Sequence, residues 1–181
     1  MTLIPTEIPD VRLLKPKVFE DPRGFFLESY NQADYEALGI PGSFVQDNHS
    51  RSQKNTLRGM HAQLKRPQGK LVRVVQGEVF DVVVDIRPKS ATYKKWVGFI
   101  LSDRNFHQCY VPPGFAHGFC VLSETAEFEY KVTDYYDPSS ELRLLWNDPD
   151  INIRWPITNP TLSAKDQQGQ LFKDIEPQLP F

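Results

Sequence analysis

Apolar residues alternate with polar ones at a period of two through the middle of the chain, and that alternation predicts strands. Lys70 to Val75 and Val79 to Ile86, joined by a Gln76-Gly77 turn, read as a hairpin rich in β-branched side chains. Trp96 to Leu101, Gln108 to Val111, His117 to Leu122 and Glu127 to Tyr135 continue the pattern. Between them lie Arg87-Pro88-Lys89-Ser90, Ser102-Asp103-Arg104-Asn105, Pro112-Pro113-Gly114 and Ser123-Glu124-Thr125, all of it turn chemistry. Fifteen prolines spread along the chain argue against long helices, since a proline in a helix interior costs ~3 kcal/mol. Two short helices are expected: Gln32 to Leu38, capped by Asn31 with Asp34 in a capping-box position and ended by Gly39, and a turn after Ser163. Many short strands at near-regular spacing imply an all-β sandwich or barrel. A jelly roll with short peripheral helices, closed enough to hold a ligand and spanning residues 1–181 as one domain, fits best.

Polar residues interrupt this apolar wall in a telling way. Leu57-Arg58-Gly59-Met60-His61-Ala62-Gln63, followed by Lys70-Leu71-Val72-Arg73-Val74-Val75, puts a guanidinium, an imidazole and an ammonium in one strand-turn-strand unit. Singly, these are ordinary solvated strand charges or a satisfied histidine. Together they describe a site that holds an anion and moves a proton on it. Strand alternation puts Lys70 on the face of Val72 and Val74, His117 on that of Phe119 and Val121, and Tyr130 on that of Phe128 and Val132. Each polar group therefore shares an interior row. Arg58 and His61, three positions apart, belong to opposite faces of a regular strand; a bulge at Gly59 would bring them to one face.

Composition narrows the ligand. A formal net charge of −2 gives no global attraction to nucleic acid or anionic membrane, so phosphate binding has to come from local clusters and a small ligand is favoured over a polymer. No apolar run nears the ~20 residues of a membrane-spanning helix, and Met1-Thr2-Leu3-Ile4-Pro5 lacks signal-peptide features, so a cytoplasmic address is expected. Cys109 and Cys120 have no C-x-x-C spacing and read as buried, reduced thiols.

An ordered set of segments then carries a resemblance: Asp21-Pro22-Arg23-Gly24, Gln46-Asp47-Asn48, Leu57-Arg58-Gly59-Met60-His61, Gly69-Lys70-Leu71-Val72-Arg73-Val74, Pro113-Gly114-Phe115-Ala116-His117-Gly118-Phe119, Tyr130-Lys131 and Leu162-Ser163-Ala164-Lys165-Asp166. In these the chain resembles the dTDP-4-dehydrorhamnose 3,5-epimerases. The resemblance implies a cupin-type double-stranded β-helix, a homodimer and a nucleotide-sugar substrate; no cofactor is expected, and no metal either, since the H-x-H spacing is missing and a lysine beside the site would repel a cation. It also implies roles: His61 as base, Tyr130 as opposing acid, Asp166 as partner of His61, and Lys70 facing the substrate carbonyl with His117 and Phe119 nearby. Arg23, Phe26, Glu28, Gln46, Asp47, Asn48, Arg58, Glu141 and Lys165 would hold nucleotide and diphosphate, and Tyr136 would stack on thymine.

The residue types suit that chemistry. Epimerisation beside a ketone removes a proton to give an enolate and returns one to the opposite face, so a base and an acid on opposite sides are the minimum. Histidine, with an ordinary pKa of ~6.5, suits the base, and a carboxylate on its other nitrogen would orient it. An ammonium aimed at the enolate oxygen stabilises the intermediate more than the ketone, and a tyrosine, protonated at neutral pH, can deliver the second proton. Other readings remain. A mono-epimerase or 3,4-ketoisomerase would use the same barrel; a metal-dependent cupin would draw ligands from His49, His61, His107 and His117 without the usual H-x-H spacing; a sugar-nucleotide sensor would need no acid and base.

Overall fold

The computed structural model describes residues 1–180. Strands β1 (Thr2–Ile4), β2 (Arg12–Lys15), β3 (Val18–Asp21) and β4 (Gly24–Leu27) precede helix α1 (Gln32–Ala37). Then come β5 (Gln46–Gln53), β6 (Leu57–Gln63), β7 (Lys70–Gln76), β8 (Glu78–Asp85), β9 (Trp96–Ser102), β10 (Gln108–Val111), β11 (Phe115–Val121), β12 (Thr125–Val132) and β13 (Glu141–Arg143). A short helix α2 (Phe172–Ile175) follows. The architecture is the all-β, cupin-type jelly roll: one sheet in the order β1-β2-β10-β7-β12-β5 faces another in the order β13-β6-β11-β8-β9.

The core sits between the sheets, where Val72 and Val74 of β7 and Phe128 of β12 meet Val79 and Val83 of β8 and Phe119 and Val121 of β11. Because β-strand side chains alternate, Val82 and Val84 point the other way, and there Leu144, Ile151, Ile153, Phe172 and Ile175 of the C-terminal segment cover them. On the outside of the six-stranded sheet, Tyr35 of α1 and Ile40 close over Leu14, Leu71 and Tyr110. Central strands buried on both faces read as nearly continuous apolar runs, as β8 does.

The expected helix forms with Asn31 Oδ1 accepting from the Ala33 amide and Gly39 at φ +76° just past its end. At the expected turn after Ser163, the Ser163 Oγ accepts from the Asp166 amide, and a short 3-10 helix, Asp166–Gln168, follows with Lys165 at its N-cap. Both cysteines are free and buried. β12 stops at Val132, short of the expected Tyr135, and beyond its end Asp134 accepts from Arg66. β3 and β4 pair only with each other, as a two-stranded sheet whose Phe19, Phe25 and Phe26 are exposed.

Candidate active site

A cavity of about 610 Å³ opens between the two main sheets, and both contribute to its walls. On one side are Arg58 and His61 of β6 and His117 and Phe119 of β11; on the other are Lys70 of β7, Tyr130 of β12 and Gln46, Asn48 and Ser50 of β5.

The bulge that brings Arg58 and His61 together is real. His117 pairs with His61 and Phe119 with Arg58, so three steps along β6 match two along β11. The extra residue is absorbed around Gly59, whose φ of +125° only glycine adopts without strain.

His61 Nε2 lies 2.6 Å from Asp166 Oδ1. A carboxylate only accepts, so this contact puts the proton on Nε2 and leaves the Nδ1 lone pair available as a base. Asp166 is itself fixed: Ser163 Oγ donates to Oδ2 at 2.8 Å. Burial works to raise the Asp166 pKa, but the hydrogen bonds from His61 and Ser163, with the charges of His61 and Arg58, outweigh it and hold the carboxyl below its ordinary value. The carboxylate therefore stays charged and stabilises an imidazolium.

Across the cavity, Tyr130 has its pKa raised by burial, with Glu141 and Tyr136 adding and Arg58 opposing, so its phenol keeps its proton. Lys70, on the neighbouring strand, is pushed down to about 8 by burial, against the charges of Glu141 and Asp81. It remains mostly an ammonium at neutral pH. His117 Nε2 donates to Asp81 Oδ2 at 2.8 Å, and its ring packs against Phe128.

The wider part of the cavity carries the groups suited to a polyanion and a base. Arg58 is steadied by its Nε donating to Ser52 Oγ at 3.0 Å. Glu141 is clamped by Arg143, whose Nε donates at 2.8 Å, and the Tyr136 phenol, next to that carboxylate, has its pKa raised by burial and then by Glu141. Gln46 donates to Asn48 along β5, and Lys165 lines the rim. Phe119 stacks on Phe128 with ring centroids 4.1 Å apart, making an apolar floor.

Three expected residues do not reach this cavity. Arg23 is exposed and folded back on Asp21, Phe26 is 69% exposed and Glu28 is also exposed. The reason is topological: Arg23 and Phe26 ride on the separate β3–β4 hairpin and Glu28 leaves it, outside the two sheets that enclose the cavity. Asp47 alternates outward from Gln46 and Asn48 and is ion-paired with Lys131 at the rim. Conversely, Ser50, Gln68, Phe128, Val132, Arg143 and Ser163 line the cavity without having been anticipated. Two of these were within reach: Arg143 shares the face of Glu141 by strand alternation, and Ser163 precedes Asp166 at capping distance. Of the histidines offered as metal ligands, His61 and His117 are held by different carboxylates and His49 by Glu127. Among the described residues no group of three His, Cys, Asp or Glu side chains is placed to hold a metal ion.

Comparison with known proteins gives one consistent answer. A family model described as dTDP-4-dehydrorhamnose 3,5-epimerase matches residues 5–174. The chain is 59% identical over 175 residues to the dTDP-4-dehydrorhamnose 3,5-epimerase of Salmonella typhimurium, covering 95% of this chain and 96% of that protein. It is 57% identical over 178 residues to the enzyme of the same name from Shigella flexneri, covering 97% and 98%. Among solved structures, the dTDP-6-deoxy-D-glucose-3,5-epimerase of Legionella pneumophila, in complex with dTDP-4-keto-L-rhamnose, superposes with a TM-score of 0.95 at 50% identity, covering 98% of this chain and 95% of that one.

Proposed function

The chain belongs to the dTDP-4-dehydrorhamnose 3,5-epimerase family, and from that premise we propose how its own residues carry out the reaction. It is an isomerase that inverts C3 and C5 of dTDP-4-dehydro-6-deoxy-D-glucose to give dTDP-4-dehydro-L-rhamnose. His61 Nδ1 removes the proton beside the C4 ketone, and Asp166 stabilises the imidazolium that results. The Lys70 ammonium faces the carbonyl oxygen, and its attraction strengthens as negative charge builds there. Tyr130 then gives its proton to the opposite face.

The observation that carries this reading is that the base and the acid stand on different sheets. His61 lies on β6 of the five-stranded sheet and Tyr130 on β12 of the six-stranded one, with the cavity between them. A planar enolate held there would have one group on each face, which inversion requires. Arg58 and Lys165 suit the diphosphate, Gln46, Asn48 and Glu141 the nucleoside, His117 and Phe119 the sugar end, and Tyr136 the base.

Arg23, Phe26 and Glu28 fit this scheme in a homodimer. The exposed phenylalanines of β3 and β4 form an apolar surface of the kind a partner covers, and the hairpin that bears them would then complete the other subunit's cavity. Asp47 at the rim would meet it. We take residues 1–181 to act as one catalytic domain in the cytoplasm, in keeping with two free thiols and a nucleotide-sugar substrate; among the described residues no helix is long and apolar enough to cross a membrane.

Incubation with dTDP-4-dehydro-6-deoxy-D-glucose in deuterated water tests the reaction directly. Two solvent deuterons are expected, one at C3 and one at C5. Incorporation at one carbon alone would make the enzyme a mono-epimerase, migration of the ketone to C3 a 3,4-ketoisomerase, and absence of turnover a sensor.

A further inference from the structure

Gln63 ends the strand that carries Arg58 and His61, but it does not line the cavity; it is buried, 6% exposed. Strand alternation puts it on the face of His61, two residues on. Its amide oxygen accepts from the Asp137 backbone N–H at 2.6 Å, and its amide nitrogen donates to the Arg66 carbonyl at 3.3 Å and to the Tyr135 carbonyl at 3.4 Å. The oxygen and both N–H groups of the amide are therefore occupied. A backbone N–H only donates and a carbonyl only accepts, so these partners fix which way the amide faces. Two of them stand immediately before and after Tyr136, which lines the cavity. Among the described residues no other side chain from outside the 133–140 loop bonds the backbone of Tyr135, Tyr136 or Asp137. The rest of that loop is held at its ends. Arg66 pairs with Asp134, Gln68 Nε2 donates to the Asp134 carbonyl at 2.6 Å, and the Leu64 amide donates to the Ser140 carbonyl at 2.9 Å. Between these ties Tyr135 and Tyr136 are both exposed, so burial of their own rings does not fix them.

We propose that Gln63 is a positioning residue for nucleotide recognition: its buried amide clamps the backbone on both sides of Tyr136 and so presets the ring on which the nucleobase stacks. The proposal rests on the placing of the base at Tyr136 given above. A ring set before the ligand arrives spares the binding step the cost of ordering it. The clamp also joins the two sheets, since Gln63 ends the strand of His61 and the loop it holds continues from the strand of Tyr130.

Gln63→Met stays close to the length and volume of the side chain and removes all three hydrogen bonds. Calorimetric titration with dTDP and with inorganic pyrophosphate, which lacks the base, reads the two ends of the site separately. In Gln63→Met the affinity for dTDP should fall on the order of tenfold while that for pyrophosphate stays at the wild-type value. The loss in turnover should fall on KM, with kcat little changed. Tyr136→Ala should show the same selectivity, and adding Gln63→Met to it should cost nothing further, because the clamp then has no ring to hold. Undiminished dTDP affinity in Gln63→Met overturns the proposal. So does an equal loss of pyrophosphate, which marks general damage, or full additivity with Tyr136→Ala, which marks an action elsewhere. Should Tyr136→Ala bind dTDP as the wild type does, the placing of the base on that ring falls, and the clamp's purpose with it. If Gln63→Met does not fold, hydrogen exchange in the wild-type protein decides. The Asp137 amide should exchange at least about tenfold more slowly than that of Tyr136, for which the described residues offer no partner, and equal rates refute the clamp.

Discussion

Gly59 and Gly118 face each other across β6 and β11 so closely that a Cβ on Gly59 would lie 2.6 Å from the Cα of Gly118. A Cβ on Gly118 would in turn meet the Arg58 carbonyl oxygen at 2.7 Å. Each glycine makes room for the other, and the bulge they permit is what turns Arg58 and His61 toward the same cavity. Gly59→Ala should therefore lose both stability, by about 2–4 kcal/mol, and activity in whatever fraction folds. Thermal unfolding together with kcat of the folded fraction checks this; an alanine variant with wild-type melting and turnover would refute it.

His61→Asn and Arg58→Ala should fail in different ways. Proton transfer acts mainly in the transition state, so His61→Asn should cut kcat by on the order of 10²–10⁴ and leave dTDP binding largely intact. A diphosphate contact is present throughout, so Arg58→Ala should chiefly weaken binding and raise KM. Steady-state kinetics and calorimetric titration with dTDP separate the two, and near-normal turnover in His61→Asn would remove it as the base.

Tyr130→Phe keeps the ring against Phe128 and removes only the phenolic proton. Abstraction by His61 should continue, so in deuterated water the variant should exchange hydrogen at C3 or C5 by returning a deuteron to the original face, yet accumulate little inverted product. Equal loss of exchange and inversion would move the tyrosine into the first step; loss of neither would dismiss it as the acid.

Lys70 sets function against stability. Its folded pKa of about 8 lies below the ordinary 10.5, so below pH 8 both folded and unfolded chains carry the proton and the folded state bears the cost of burying it. Between pH 8 and 10.5 the unfolded chain binds more protons than the folded one, and stability should rise with pH through that window. Lys70→Met should consequently stabilise the protein at pH 7, by roughly 1–3 kcal/mol, while abolishing most turnover. Denaturant unfolding at pH 7 and pH 10 checks the sign; a less stable methionine variant at pH 7 would contradict it.

The central strands were legible because burial on both faces leaves an apolar record in their side chains, as in β7, β8 and β11. β5 left none. Its residues, Gln-Asp-Asn-His-Ser-Arg-Ser-Gln, are polar on both faces because one face lines the cavity and the other meets charged partners such as Lys131 and Glu127. The short strands β1 to β4 were unread for a different reason: four residues or fewer give alternation too little length to register.

What the sequence by itself determined is the inward set: Lys70, His117 and Tyr130 point into the cavity because strand alternation is a local, two-residue rule that tertiary contacts do not alter. Tertiary structure alone decided which of these groups meet. The pairing of His61 with Asp166 spans 105 residues and that of His117 with Asp81 spans 36, and in each case a distant carboxylate is delivered by the closing of a sheet or the docking of a turn. The fold likewise excluded Arg23, Phe26 and Glu28 from the cavity of their own chain, although their motif reads like the others, because a strand's alternation says which way a side chain points and nothing about which sheet the strand will join.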